Sequence, residues 1–410
     1  MTKATKLFPP FHGGMLLLAL FPILNYYASP LPFSWGEVLL LIYVFIRVSK
    51  RGINDSFLFP RNFVIYWAYC ALSIIVISNS FNVTYLIPGG ISMFIWCLFF
   101  GILTKETNNK SLLQYFRVIF IPIALLFVAQ EVTFYLFKER ISFHLPISSM
   151  TAYYGDLSFE QLAQLYRFSD RSNSLFMEPA YFAEYLLLHL CLEFFGEEGR
   201  DKLYNHYIIA ICLILLFLKS GTGLIGLAFL GTIKLLSYYK THKGKRILAL
   251  IVIVLPALFF VTSYYVSSEI GSSMLERQSE LTNQSGSSYE RIFRGVELYE
   301  AMPLSNKIFG IDPTVFRATR NYNGVETIEE GMLFNGFLSV LITKGLIGLL
   351  LLFAVYVPIY RSSNILTKAS LGLLLLISWI ESVYLMPAML ILTLIAFAEK
   401  KQYSRIQEMI

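Results

Sequence analysis

Apolar runs about as long as a bilayer is thick recur from one end of this chain to the other, and that recurrence constrains the fold more than any single motif. A helix needs about 20 apolar residues to cross some 30 Å of hydrocarbon. Windows of this kind fall at 12–28, 34–49, 62–79, 87–104, 112–137, 179–195, 204–219, 222–239, 246–266, 345–360, 365–380 and 382–398. A bilayer leaves unpaired backbone no partner, so such runs must be helices or closed barrels. Their length predicts an all-α, polytopic integral membrane protein with about 12 transmembrane helices. It would form a single transmembrane domain over 1–410, with both termini on the same side.

Charge agrees with that reading. Of the 410 residues 56% are hydrophobic and only 15% charged, against roughly 25% charged in soluble domains. The formal net charge of +6 would suggest nucleic acid in a soluble protein. Here the basic residues sit mainly in short connections between apolar runs, where they set topology, so no nucleic-acid partner is expected. RVSKRG with Arg61, TKETNNK, GRDK, KTHKGKR, YRSSNILTK and EKKQYSR fall on one face together with Lys3 and Lys6. The positive-inside rule makes that face cytoplasmic. The opposite links, SPLP, NSFNVT and the turn at Glu381, carry no lysine or arginine. Cys70, Cys97, Cys191 and Cys212 all lie in apolar stretches, which predicts packing rather than a disulfide framework or a CxxC site. The N-terminal MTKATKLFPPFHGG and its apolar run lack a small-residue cleavage site, so the run reads as a retained first helix.

Two long segments come out on the external face, 138–178 and 267–344. Loops of this length without low complexity usually work. They carry Arg140, Arg167, Arg171, Arg277, Arg291, Arg294, Arg317 and Arg320. An arginine fork suits phosphate and carboxylate, so these residues either receive an anionic ligand or pair with loop glutamates such as Glu160, Glu290 and Glu297.

The stretch RSNSLFMEPAYFAEYLLLHLCLEFF, 171–195, places charge at the mouth of an apolar run. Pro179 suits the first helical position, and Glu178 before it sits at the positive end of the helix dipole. From Glu178, Tyr181, Tyr185 and His189 follow on one helical face, a polar stripe that descends roughly 16 Å and must face the bundle interior or a wet groove. Buried hydrogen bonds between helices would explain the stripe equally, and His189 above all. A carboxylate beside Arg171 would serve as a proton acceptor. In LLFLKSGTGLIGL, 215–227, two glycines predict a tight turn exposing Lys219 and a helix N-terminus, an anion site or a plain hairpin. SSYERIFRGVELYEAM opens with a capping box from Ser287 to Glu290 and sets Arg291 and Arg294 on one face. MLFNGFLSVLITK, 332–344, precedes Gly345 and reads as an interfacial helix feeding the next span.

Three of these patches carry a resemblance. RSNSLFMEPAYFAEYL resembles the arginine-x-x-x-phenylalanine-x-glutamate-proline signature of Wzy-type O-antigen and capsular polysaccharide polymerases. KSGTGLIGL resembles the serine-x-threonine-glycine hairpin of the wider polymerase and ligase superfamily. YERIFRGVELYEAMPLSNKIFGID, followed by FNGFLSVLITKGLIGLLLLF, is similar to the end of that family's large periplasmic loop and its return span. Ligases carry a histidine before the asparagine of the return helix, whereas here Phe334 precedes Asn335, which favours polymerase over ligase.

The resemblance implies a fold similar to GT-C-type glycosyltransferases in a bacterial inner membrane. It implies transfer of a growing glycan from undecaprenyl pyrophosphate to a sugar hydroxyl of a lipid-linked repeat unit, with a chain-length regulator as a candidate partner. Catalysis would fall to Glu178, Arg171 and Arg291, and substrate binding to Lys219, Arg294, Tyr181, Tyr185 and His189. The phosphates arrive with the substrate, so no cofactor is expected, and without DxD, HExxH or a P-loop no metal or nucleotide is implied. An O-antigen ligase, a lipid-linked oligosaccharide flippase or another transporter would share the span count. A transporter should show repeated halves, which this sequence lacks. A membrane scaffold would need no anion-ready arginines.

Overall fold

The computed structural model describes residues 12–31, 33–77, 83–143, 171–196, 205–241, 293–311, 321–326, 334–361, 364–381 and 386–409, with a few isolated positions between. Among them the chain is helical apart from one two-residue antiparallel ladder, Asn321–Tyr322 with Val325–Glu326. The helices are α1 (Gly13–Leu24), α2 (Trp35–Arg51), α3 (Ile53–Ser56), α4 (Arg61–Ile77), α5 (Val83–Glu106), α6 (Asn109–Phe137), α7 (Pro179–Phe195), α8 (His206–Phe217) and α9 (Gly221–Thr241). After them come α10 (Gly295–Ala301), α11 (Leu304–Phe309), α12 (Gly336–Arg361), α13 (Ile365–Ile380) and α14 (Pro387–Met409).

Among the described residues α6, the Gly221–Tyr239 part of α9, and α12 are long and apolar enough to cross a membrane, as befits a helical membrane protein. Shorter apolar helices accompany them at α1, α8, α13 and the first half of α14. Every predicted apolar window but one overlaps a helix; the exception, 246–266, lies outside the described residues. Of the two long segments, 144–160 and 267–288 also lie outside them.

Helix α7 is the axis of the bundle. It packs against α6, α8, α9, α13 and α14, and every residue from Phe182 to Phe195 is buried. A helix apolar on all sides belongs inside a core, and Leu186, Leu187, Leu188, Leu190 and Leu192 supply that surface. Helix α9 comes close because two of its glycines, Gly223 and Gly226, face α7. A Cβ at Gly223 would stand 3.1 Å from the Ala183 Cβ, and one at Gly226 would run into Leu187. Small residues that let helix backbones approach are the usual device for helix packing in a membrane.

The glycines of KSGTG therefore do not make the turn, contrary to expectation. The turn is made by Lys219, whose φ of 53° is left-handed, and by Ser220, whose Oγ accepts from Gly223 N at 3.4 Å as α9 begins.

Helix α12 carries the predicted break. Gly345 has φ 66°, a conformation that side chains disfavour, and a Cβ there would run into the Ile308 carbonyl near the end of α11. Residues 336–344 thus stand apart from the long span that follows. A satellite core of Leu298, Met302, Ile311, Phe334 and Ile342 packs α10 and the chain after α11 onto that short piece.

Candidate functional site

The two ends of α7 define the site and its counterpart. Helices α6 and α7 run antiparallel, with the Phe127 ring tilted against Phe182 at 5.8 Å and Arg117 against Glu193. Helix α6 continues from Phe127 to Phe137, while α7 reaches back only from Phe182 to Pro179. At 1.5 Å per residue the mouth of α7 is recessed by roughly 10 Å behind the end of α6.

The chain enters that recess through residues 172–177, which are not helical yet lie buried. Ser172, Asn173, Ser174, Phe176 and Met177 are each at most 2% exposed. Buried irregular backbone needs partners for its N–H and C=O groups, and Gln130 of α6 supplies them. Its Oε1 accepts from Asn173 N at 3.1 Å and Ser174 N at 2.7 Å, and its Nε2 donates to the Ile141 carbonyl at 3.1 Å. Ser174, left-handed at φ 54°, donates from Oγ to the Ile123 carbonyl midway along α6 at 2.9 Å. On the other side the Tyr27 hydroxyl donates to the Leu175 carbonyl at 2.8 Å. Residues 172–177 thus form a buried strap that delivers Glu178 to the helix mouth.

Pro179 occupies the first turn of α7, and Glu178 is its N-cap, but the carboxylate makes no capping bond to its own helix. An N-cap acid ordinarily accepts from the second or third N–H, so this carboxylate is turned elsewhere. Its surroundings are read from Tyr26, in the turn after α1. Tyr26 stacks on Tyr181 with ring centroids 4.2 Å apart, and Glu178, Glu184 and Glu381 all act electrostatically on its hydroxyl. Among the described residues no group of His, Cys, Asp and Glu is arranged to hold a metal ion.

Glu381 comes from the far end of α13. Its Oε1 accepts from the Thr222 hydroxyl at 2.7 Å, and its carbonyl accepts from Gly336 N at 2.8 Å. Asn335, 2% exposed, caps α12 by accepting from Leu338 N at 2.9 Å. The glutamate-proline mouth, the KSGTG hairpin and the FNG start of α12 therefore meet at one end of the bundle, through Gly223 against Ala183 and Thr222 against Glu381.

The remaining expected residues divide. Arg171 is partly buried at the head of the strap, and Lys219 is partly buried in the hairpin. Arg294 leads into α10 at the satellite core, 3.9 Å from Glu297 and with its guanidinium 5.7 Å from the Tyr289 ring centroid. Arg291, and the Ser287–Glu290 capping box with it, lies outside the described residues. Carboxylates also take Arg140, beside Glu131 at 3.3 Å, and Arg167, beside Glu139 at 2.5 Å. Pairing with carboxylates, one on α6 and one just past its end, thus accounts for these two arginines.

Tyr185 and His189, expected among the substrate contacts, lie inside the packing. Both are 0% exposed. Tyr185 packs on Phe116 at 4.9 Å and Phe176 at 5.3 Å, and His189 lies among Phe116, Phe120 and Tyr207. The polar stripe does face the interior, but a packed one. Its lower part belongs to a cluster at the other end of α7, where Glu193 receives Arg117 Nε at 2.6 Å, Arg117 Nη2 at 2.8 Å and Asn205 Nδ2 at 2.9 Å, with His189 Nε2 at 3.3 Å.

Sequence reasoning missed Tyr26, Gln130 and Thr222. Gln130 carried a signal, an amide next to Glu131 deep in the apolar run of α6; Tyr26 and Thr222 carried none beyond their neighbours. Neither a protein-family model nor a curated protein matches the chain.

Proposed function

We propose that the protein is a polysaccharide polymerase of the Wzy type, a glycosyltransferase that moves a growing glycan from undecaprenyl pyrophosphate onto a sugar hydroxyl of a lipid-linked repeat unit. One observation carries the reading. The three patches that resemble this family, separate in sequence, meet at a single end of the bundle around Tyr26, Glu178 and Thr222. In this reading the chain crosses a bacterial inner membrane about twelve times with both termini cytoplasmic, and the recessed mouth of α7 opens outward. The lipid-linked oligosaccharide serves as donor and as acceptor, with a chain-length regulator as a candidate partner.

The chemistry follows from charge. Glu178 takes the proton of the attacking sugar hydroxyl as its oxygen bonds to the anomeric carbon of the donor. The bond from that carbon to the pyrophosphate oxygen breaks, and the pair of electrons leaves with undecaprenyl pyrophosphate. Arg171, Lys219, Arg291 and Arg294 are the cations assigned to that developing charge. Phe334 before Asn335 favours a polymerase over a ligase.

Deleting the chain tests the assignment. Loss of a polymerase leaves single repeat units on the lipid carrier. Long unattached chains would indicate a ligase instead, and units trapped on the inner leaflet a flippase.

A further inference from the structure

Arg140 lies just past the end of α6, and its side chain turns into the protein rather than toward its surface. Lys138, left-handed at φ 59°, reverses the chain after Phe137, and the Arg140 guanidinium carbon comes to rest 3.6 Å from the Phe134 ring centroid. The residue is 4% exposed. Its Nε donates to Ser172 Oγ at 2.8 Å and its Nη2 to Glu131 Oε1 at 3.3 Å, while the Ser172 hydroxyl donates to the same Glu131 oxygen. Its backbone N–H donates to the Arg167 carbonyl at 3.0 Å. One residue thus holds the chain at Arg167, before Arg171, and again at Ser172, directly after it. Burying a guanidinium costs free energy that an apolar side chain of similar volume would not, so the arrangement serves placement more than stability.

We infer that Arg140 is a positioning residue for Arg171, and that through Ser172 it sets that arginine against the diphosphate of the donor. This rests on the polymerase reading. The geometry demands an arginine. Ser172 and Glu131 are reached by Nε and Nη2, two donors fixed in one plane, while the face of that plane rests on Phe134. A lysine brings a single point charge and cannot reproduce the fork. Gln130 fixes the backbone of Asn173 and Ser174, and Arg140 fixes the side chain that comes before them, one position from Arg171. A side chain that must meet a diphosphate to within about 0.5 Å needs such support behind it.

The test uses the full chain in proteoliposomes, with the lipid-linked oligosaccharide pool extracted from the source organism's membranes as substrate and undecaprenyl pyrophosphate as the binding probe. Arg140→Lys should lower both kcat per folded molecule and the affinity for undecaprenyl pyrophosphate by about tenfold. Ser172→Ala, which leaves Arg140 and Glu131 to pair, should give about a threefold loss and carries the test if Arg140→Lys does not insert. In a chain already carrying Arg171→Ala neither change should weaken binding further, because the side chain to be positioned is gone. A purely structural role would reduce the yield of folded protein and leave both constants alone. Unchanged affinity in both variants, or a loss that persists in the Arg171→Ala background, would overturn the inference. Failure of the wild-type chain to elongate the pool would instead remove the polymerase reading, and the dependence of undecaprenyl pyrophosphate binding on Arg140 and Arg171 would still decide the positioning role.

Discussion

Helix α7 carries a glutamate near each end, and the two live in opposite surroundings. Glu193 is wholly buried and held by Arg117 in a two-point grip, by Asn205 and by His189, while Lys234 of α9 donates to the neighbouring Phe194 carbonyl at 2.7 Å. Glu178 is partly exposed, declines to cap its own helix, and shares a recessed mouth with two more carboxylates and the Tyr26–Tyr181 stack. A buried charge survives only with its partners in place, so the Phe195 end is a fastening. The Pro179 end gathers polar groups from distant parts of the chain, with Tyr26, Gln130, Thr222 and Asn335 buried and the carboxylates of Glu178 and Glu381 left partly exposed, which is how a site differs from a joint.

That contrast predicts an order of effects. Arg117→Ala leaves Glu193 buried without its main partner and should cost about 3–5 kcal/mol, read as loss of folded protein in detergent thermal unfolding; a variant as stable as wild type would dissolve the distinction from that side. Gln130→Ala strips the strap of its backbone partners and should cost about 2–3 kcal/mol. It should also lower activity more than an equally destabilising change at the Phe195 end, because it releases the segment that carries Glu178. Gly223→Val should cost about 1–3 kcal/mol by forcing α9 away from Ala183, and polymer length should fall with it as Thr222 leaves Glu381. At the bottom of the scale Glu178→Gln should change stability by less than about 0.5 kcal/mol, the usual range for a substitution outside the packed core.

Much of this frame is legible in the sequence, for local reasons. Pro179 and the run after it mark α7 from its first residue to its last, and the window 365–380 matches α13, because apolar length and a helix-starting proline act within a few residues. Gly345 marks the break in α12 for the same reason. What the sequence hides is long-range. Nothing in RSNSLFME announces that its backbone will seek Gln130, more than forty positions earlier, since a strap without periodicity leaves no pattern to read. Gly223 of KSGTG and Gly226 after it look like turn residues until Ala183 and Leu187 are seen beside them. Tyr185 and His189 share a face with Glu178, but spacing alone cannot tell a cleft from a stack of phenylalanines.

The direct measurement is the length distribution of lipid-linked glycan made by cells whose only copy of the chain carries Glu178→Gln, with membrane insertion and thermal stability checked against wild type. A stable, inserted protein that leaves single repeat units on the carrier is the predicted result. A normal ladder of long chains from that variant would contradict the account, because the mouth of α7 would then not be where the glycan is extended.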